Sequence, residues 1–407
     1  MTINTIKDTP AADTLEPQSK FDVFRKGFPA FENSIYFSIC YRAILHKAVR
    51  TAINDYLDHF SCSQAPQLAH DEVVASSRRR FARLVNADPS WIAVIRSVAD
   101  GINTIMWSLP FQEGDNVVLC LAHEHPSNIY PWKRLAQKGV VVKNIPLQPD
   151  GQLDIEAMID AIDANTKVMT CASVSYAPGH RVDLARLGEA CRKRDIFFLV
   201  DAIQSVGILQ HDVQAEYIDG LVTATSKGLL GLYTYGFMSI APQWIDRMMP
   251  TCLSQAAIDI DACCHSVSES QAYYLWPDSR RFEVTGYNYA AAYAADEALD
   301  LLLELGPSHI EKHVLSLVSQ MHDGISDLGL TTLLARDGAS QSSLLTLGDI
   351  CADTTEVPAK IQRISNHLNE GEIIHSIRRG QLRFGFHAYN NEQDVTSTLL
   401  CIKEAVS

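Results

Sequence analysis

The sequence has no CxxC pair, no long apolar run and no excess of positive charge, and each absence removes a class of protein. Its ten cysteines are scattered through 407 residues without one CxxC pair. Several, Cys120 and Cys171 among them, sit inside apolar runs, where a reduced thiol packs as a small hydrophobe. Cys263-Cys264-His265 groups ligating side chains, but its spacing fits none of the usual zinc patterns, and no metal is expected. No stretch approaches the ~18 apolar residues of a membrane span. The first twenty residues, rich in Thr, Asp, Pro and Ala, lack the apolar core of a signal peptide. Lysine and arginine number 34 against 48 acidic residues, a net charge of −14. Nucleic-acid and acidic-membrane surfaces call for a basic footprint, so neither is an expected partner. An anionic small molecule stays open, because a few arginines can build a positive pocket on an acidic chain. The expectation is a cytoplasmic protein with a flexible N-terminal tail over residues 1–30.

What the chain does have is an alternation of strand-like and helix-like patterns from about residue 70 to 240. Short apolar runs at 91–96, 116–121, 140–145, 167–174 and 196–200 read as buried strands. Segments 71–85, 101–109, 130–138 and 183–193 carry helical patterns. Such alternation predicts an α/β fold, an open and mostly parallel sheet between two layers of helices. Ligands in such sheets bind at the carboxyl ends of the strands, where Ser97, His125, Tyr176 and Asp201 fall. A long helix over 289–305 precedes Gly306-Pro307, after which the pattern changes. The division expected is a large domain over 31–300 and a smaller α+β domain over 301–407.

The chemistry is concentrated in two segments. Phe197-Phe198-Leu199-Val200-Asp201 is an apolar run ending in a carboxylate, and Ser226-Lys227-Gly228-Leu229-Leu230-Gly231 places a solitary lysine in an apolar, Gly-rich stretch. An acid at a strand end with a lysine one strand later suits a cofactor that carries a pyridine nitrogen and an aldehyde. That cofactor is pyridoxal 5′-phosphate (PLP), held as a lysine Schiff base with an acidic partner for its ring nitrogen. Burial among leucines lowers a lysine's pKa, which supplies the neutral amine that attacks an aldehyde. Taken singly, Lys227 is equally an ordinary loop lysine and Asp201 a turn or helix-capping aspartate.

Weaker signals surround this pair. Gln204 is placed to donate to a ring hydroxyl. The strand-to-helix turn through Ser97, Val98 and Ala99 offers free N–H groups to a phosphate, and Ser226 offers a hydroxyl. His125, in His123-Glu124-His125-Pro126-Ser127-Asn128, could lie flat on a cofactor ring or belong to a polar loop. Arg383, in an alternating strand, could clamp a carboxylate bidentately or face solvent.

Together these segments resemble the PLP-dependent enzymes of fold type I, in the class V aminotransferase group. That group includes cysteine desulfurases, selenocysteine lyase, kynureninase and isopenicillin-N epimerase. The stretch from Val200 to Gly207 carries the resemblance most specifically. His125-Pro126-Ser127-Asn128, Arg281-Phe282-Glu283 and Leu382-Arg383 with His387, Tyr389 and Asn390 support it. The run from Val174 to Leu184 is similar to the epimerase-like branch. The resemblance implies a seven-stranded, mostly parallel sheet in the large domain. It implies that Lys227 forms the Schiff base, Asp201 pairs with the pyridine nitrogen, Gln204 faces the ring oxygen and His125 stacks on the ring. It further implies a phosphate at Val98, Ala99 and Ser226, and Arg383 on the substrate carboxylate. A homodimer with its site at the interface is implied too, with Thr285 and Gly286 reaching the partner's phosphate.

Departures narrow the reading. Desulfurases of this group carry a catalytic cysteine on a loop before the carboxylate arginine, whereas residues 372–382 contain none and Cys351 lies too far upstream. A persulfide-forming desulfurase is therefore not expected. The first strand leads into Cys40-Tyr41-Arg42 in place of small residues, which reshapes the substrate pocket. Tyr41, Arg42, Tyr176 and Asn128 join Arg383 as candidate substrate contacts, with Arg42 reading a second anionic group on the substrate. The function expected is a PLP-dependent lyase or transferase acting on an amino acid through an external aldimine and Cα deprotonation by Lys227. β-Elimination of a C–S bond in a cysteine derivative leads, with aminotransfer and epimerisation as alternatives and a non-catalytic PLP-binding protein as a remote one.

Overall fold

The computed structural model describes residues 17–62, 66–259, 273–284, 286–333, 340–349 and 356–407. Its centre is a seven-stranded sheet. In spatial order the strands are Ile92–Ile95, Gly236–Ile240, Gly220–Ala224, Phe197–Asp201, Thr166–Ala172, Asn116–Leu119 and Val141–Asn144. Gly236–Ile240 runs antiparallel to both neighbours, and the other paired neighbours are parallel. Apart from the edge strand Val141–Asn144, the parallel strands were legible as apolar runs because they are buried on both faces. Their side chains alternate between two cores. Phe197, Leu199, Val117 and Val222 pack with the helix Val98–Ser108 on one side. Phe198, Val200, Val118 and Leu221 pack on the other, with the helices Gln67–Leu84, Leu184–Arg192 and Tyr289–Leu305. Gly101 lets the first of these helices close on the sheet, since a Cβ there would meet Ile95 at 2.7 Å and Val222 at 2.8 Å.

The C-terminal part builds a smaller antiparallel sheet, in the order Ser376–Arg378, Gln381–Gly385, Leu344–Leu347. Helices Pro307–Asp327, Ala359–Glu370 and Glu392–Val406 accompany it. The two-residue strand Ile35–Tyr36 pairs with Ile373–Ile374, and Ser38 bridges to Gly385. The segment leading to Cys40 is thereby tied to the strand that carries Arg383.

Residues 17–30, assigned to a flexible tail from the sequence, are structured. Pro17–Lys26 is a helix that buries Phe21 and Phe24, with Phe21 stacked on His313 at 4.1 Å. Arg25 grips the Asp394 carboxylate with two N–O contacts of 2.8 Å and donates to the Tyr389 carbonyl at 2.6 Å. The phenylalanines at i and i+3 give this helix an apolar side that pays its ordering cost by docking on the C-terminal region. Cys263-Cys264-His265 and Cys351 lie outside the described residues. Among the described residues, no three ligating side chains cluster as a metal site, and no helix is long and apolar enough to cross a membrane.

Candidate active site

Four loops leave the carboxyl ends of the sheet strands and converge. Phe197–Asp201 delivers Asp201, the loop after Ala224 delivers Lys227, the loop after Leu119 delivers His125, and that after Ala172 delivers Tyr176. These four, with Val98 and Gln204, line one cavity of about 420 Å³ of atom-free space, part of it open to solvent. Ala172 and Val174 make its apolar floor. Larger clefts lie elsewhere, one of them against the helix Pro17–Lys26, but none gathers these strand ends. Placement at the strand ends, rather than size, identifies the site.

Asp201 is buried, and its Oδ1 accepts from the Ile203 N–H at 3.1 Å. Burial pushes this carboxyl up to about 6, opposed by that hydrogen bond and by the charge of Lys227. Burial also pulls the Lys227 ammonium below the ordinary lysine range, against the attraction of Asp201. The two groups thus restrain each other, and the amine is easier to deprotonate than a solvated lysine. His125 Nδ1 accepts from the Ser127 N–H at 3.2 Å, so its ring proton sits on Nε2. Partial burial first, and then the cations Lys227, Arg378 and Arg383, lower its pKa. Its ring meets Tyr176 edge-on at 5.6 Å. Gln204 is held by a 3.2 Å hydrogen bond from its Nε2 to the Cys40 carbonyl.

The helix Val98–Ser108 begins at this cavity. Ser97 caps it by accepting from the Asp100 N–H at 3.1 Å. First-turn N–H groups such as those of Val98 and Ala99 have no partner within a helix, which makes the turn an anion cradle. Asp100, the acid nearest this turn, is drawn off by Arg96 at 2.7 Å. Ser226 is buried directly before Lys227. Arg383 is buried beside the cavity, where it donates to Ser376 Oγ at 3.2 Å and to the Tyr176 carbonyl. No described carboxylate pairs with it. Burial lowers its pKa and the Arg378 cation adds to this, while Cys40 and Tyr176 oppose it only in part.

Other expected contacts are not brought together. Asn128 is fully buried in a separate network: its Nδ2 donates to Glu124 at 2.7 Å and Thr170 at 3.0 Å, and its Oδ1 accepts from Trp132 at 2.9 Å. With its amide consumed, it braces the His125 loop and leaves nothing for a substrate. Tyr41 and Arg42 are exposed and outside the cavity lining. Tyr41 instead lies under the Arg378 guanidinium at 5.6 Å. Gly286 is exposed with open space around it, and Thr285 lies outside the described residues. Sequence reasoning missed Glu124. It is buried, accepts from the Ala172 N–H at 2.7 Å, and is pushed up to about 8 by burial, with the charge of Asp201 adding to the rise. The i, i+4 spacing of Glu124, Asn128 and Trp132 was the available signal.

A family model described as Aminotransferase class-V matches residues 43–397. The chain belongs to the class-V aminotransferases. It is therefore a PLP-dependent enzyme, and the donor set fits that cofactor: a partly buried amine, a buried carboxylate and a helix start facing one cavity. This class-V enzyme is 26% identical to an uncharacterised aminotransferase of Schizosaccharomyces pombe, over 95% of this chain and 96% of the relative. It is also 26% identical to a probable cysteine desulfurase of Pyrococcus abyssi, over 94% and 96%. Among solved structures, the apo cysteine desulfurase of Thermococcus onnurineus NA1 superposes with a TM-score of 0.82 at 22% identity, covering 94% of this chain and 97% of that one. The cystine C–S lyase C-DES, in complex with cysteine persulfide, gives 0.82 at 21% identity, covering 93% and 99%. These likenesses confirm the fold expected from the sequence.

Proposed function

We propose that this enzyme cleaves the C–S bond of a cysteine derivative by β-elimination. The observation that carries the reading is Arg383, a buried guanidinium with no described carboxylate partner, beside a cavity that holds an amine and a carboxylate. A substrate α-carboxylate supplies the missing anion and fixes Cα near Lys227. PLP, when bound, would supply an aldehyde for the substrate amine and an electron sink for the pair released at Cα. Asp201 would keep the ring nitrogen protonated, Gln204 would face the ring oxygen, and the amides of Val98 and Ala99 with Ser226 would hold the phosphate. Lys227 takes the Cα proton onto Nζ. His125 would lie against the bound ring with its Nε2–H hydrogen-bonded to the departing sulfur, which takes its proton from Lys227 Nζ. Water then completes the balance, yielding a thiol, a keto acid and ammonia.

Two facts favour elimination over a persulfide-forming desulfurase. Residues 372–382 contain no cysteine, and the strands Ser376–Arg378 and Gln381–Gly385 meet in a tight turn without the longer loop that would carry one. One structural neighbour is itself a cystine C–S lyase. The same reading takes the large domain as 31–300 and the small one as 301–407, and makes the enzyme a homodimer in which Thr285 and Gly286 reach the partner's phosphate. It places the enzyme in the cytoplasm, in keeping with the free thiols of the described cysteines.

The test is a panel of cystine, S-substituted cysteines and ordinary amino acids given to the PLP-loaded enzyme. Pyruvate released without any amino acceptor is the expected outcome. Keto acid that forms only with a second keto acid present would establish aminotransfer instead. Borohydride reduction followed by peptide mapping should leave the cofactor's mass on the Lys227 peptide.

A further inference from the structure

Three consecutive carbonyls fix the backbone at Lys227, each through a different part of the chain. Ser226 O accepts from the Ala43 N–H at 2.7 Å, and Lys227 O from the Leu230 N–H at 2.8 Å. Gly228 O lies 2.9 Å from His387 Nε2. Only the last contact comes from a side chain, and it comes from the segment that follows the Arg383 strand. Its direction can be worked out. His387 Nδ1 lies 2.8 Å from the Ala388 backbone nitrogen, which can only donate. Nδ1 is therefore the acceptor, and Nε2 carries the hydrogen given to Gly228 O.

We infer that His387 is a positioning residue: its Nε2–H holds the Gly228 carbonyl and so sets where the Lys227 amine stands. The turn has reason to need this restraint. Leu230 has a φ of +55°, a left-handed conformation costly for a branched side chain that persists only when its surroundings enforce it. On the opposite side Gly228 is already against its neighbours, since a Cβ there would meet Val206 O at 2.4 Å. The imidazole is itself held. It is fully buried, stacks on Tyr389 at 5.0 Å and 16°, and its backbone N–H donates to Asn390 Oδ1 at 3.0 Å. Burial pushes it down to about 4, so it stays a neutral, single-tautomer donor through the working pH range. The arrangement links the small sheet, where Arg383 meets the substrate carboxylate, to the position of the amine that meets Cα.

The test compares H387Q with H387N. Both are polar amides of similar packing demand, but only glutamine extends its donor as far as Nε2 does. In the cofactor-free protein, H387N should speed amide hydrogen exchange across residues 226–231 about tenfold, as expected for one buried hydrogen bond lost. Exchange in Phe197–Asp201 should be unchanged, and H387Q should keep the wild-type rates. In the loaded enzyme, the pH midpoint of the cofactor's visible absorption should move in H387N and return in H387Q. Its kcat should fall about tenfold with KM little altered. Y389F removes a hydroxyl with no hydrogen-bond partner among the described residues and serves as the packing control, with wild-type exchange at 226–231. Equal behaviour of H387N and H387Q, or exchange accelerated equally throughout the core, would overturn the inference. It rests on Lys227 as the reacting amine, yet the exchange contrast stands or falls apart from the borohydride result.

Discussion

Burial shifts the ionisation of single residues here away from what solvent would set. Arg383 is the costliest, because a guanidinium taken from water needs an anion that no described residue provides. R383M should raise KM for the amino acid by about 10- to 100-fold, the loss of a charge-assisted pair. Melting temperature should hold or rise, since an unpaired buried charge disappears. A variant that melts lower with unaltered KM would remove Arg383 from substrate binding. Glu124 gives a prediction in pH. Its carboxyl is raised to about 8 in the folded protein, against an ordinary value near 4.5. Between those values the unfolded chain has lost the proton while the native state retains it. Stability from this group is therefore full below about pH 4.5 and lost as pH rises through about 8. Relative to E124Q, which does not titrate, the cofactor-free wild type should lose melting temperature steadily from pH 5 to pH 8. A constant gap across that range would mean Glu124 is already ionised at pH 5.

At the scale of elements, the central sheet was readable and the chain's beginning was not. Strands buried on both faces are written as apolar runs, and all five strands expected between 91 and 200 exist within a few residues of their bounds. Asp201 and Lys227 were legible for the same reason, as polar interruptions where apolar strands end. Asn128 was misread because a sequence places a residue on a loop without saying which way its amide points. The helix Pro17–Lys26 was missed because a test for a signal peptide asks about an apolar core, whereas Phe21 and Phe24 make only a narrow stripe. Its docking has a measurable consequence. Asp394 is buried and also caps the helix Glu392–Val406, so removing its arginine leaves an uncompensated carboxylate. R25M should cost about 1–3 kcal/mol, seen as a lower melting temperature, while R79M, at an exposed pair, should change nothing measurable.

For the whole molecule, the net charge of −14 is compatible with cations near Lys227 because Arg378 and Arg383 act on it locally, with Asp201 the acid that lines the cavity. The remaining question at this scale is whether a second copy covers the exposed side chains around Gly286. Tyr233 and Tyr274 are 61% and 59% exposed. Asn288 donates to Thr234 at 2.7 Å, beside Tyr233, and the Asp259 N–H donates to the Tyr274 carbonyl at 2.8 Å. The Ser254 hydroxyl donates to the Glu283 carbonyl at 3.4 Å, adjoining exposed Val284 and Gly286. A second copy seated there would bury the aromatics and bring residues 285–286 to a phosphate site across the interface. Light scattering should then give twice the chain mass for the wild type. Y233E/Y274E should shift it to one chain mass and weaken PLP retention with it, because each site would lose its borrowed phosphate contacts. A monomeric variant that keeps its cofactor and full turnover would show that each chain completes its own site.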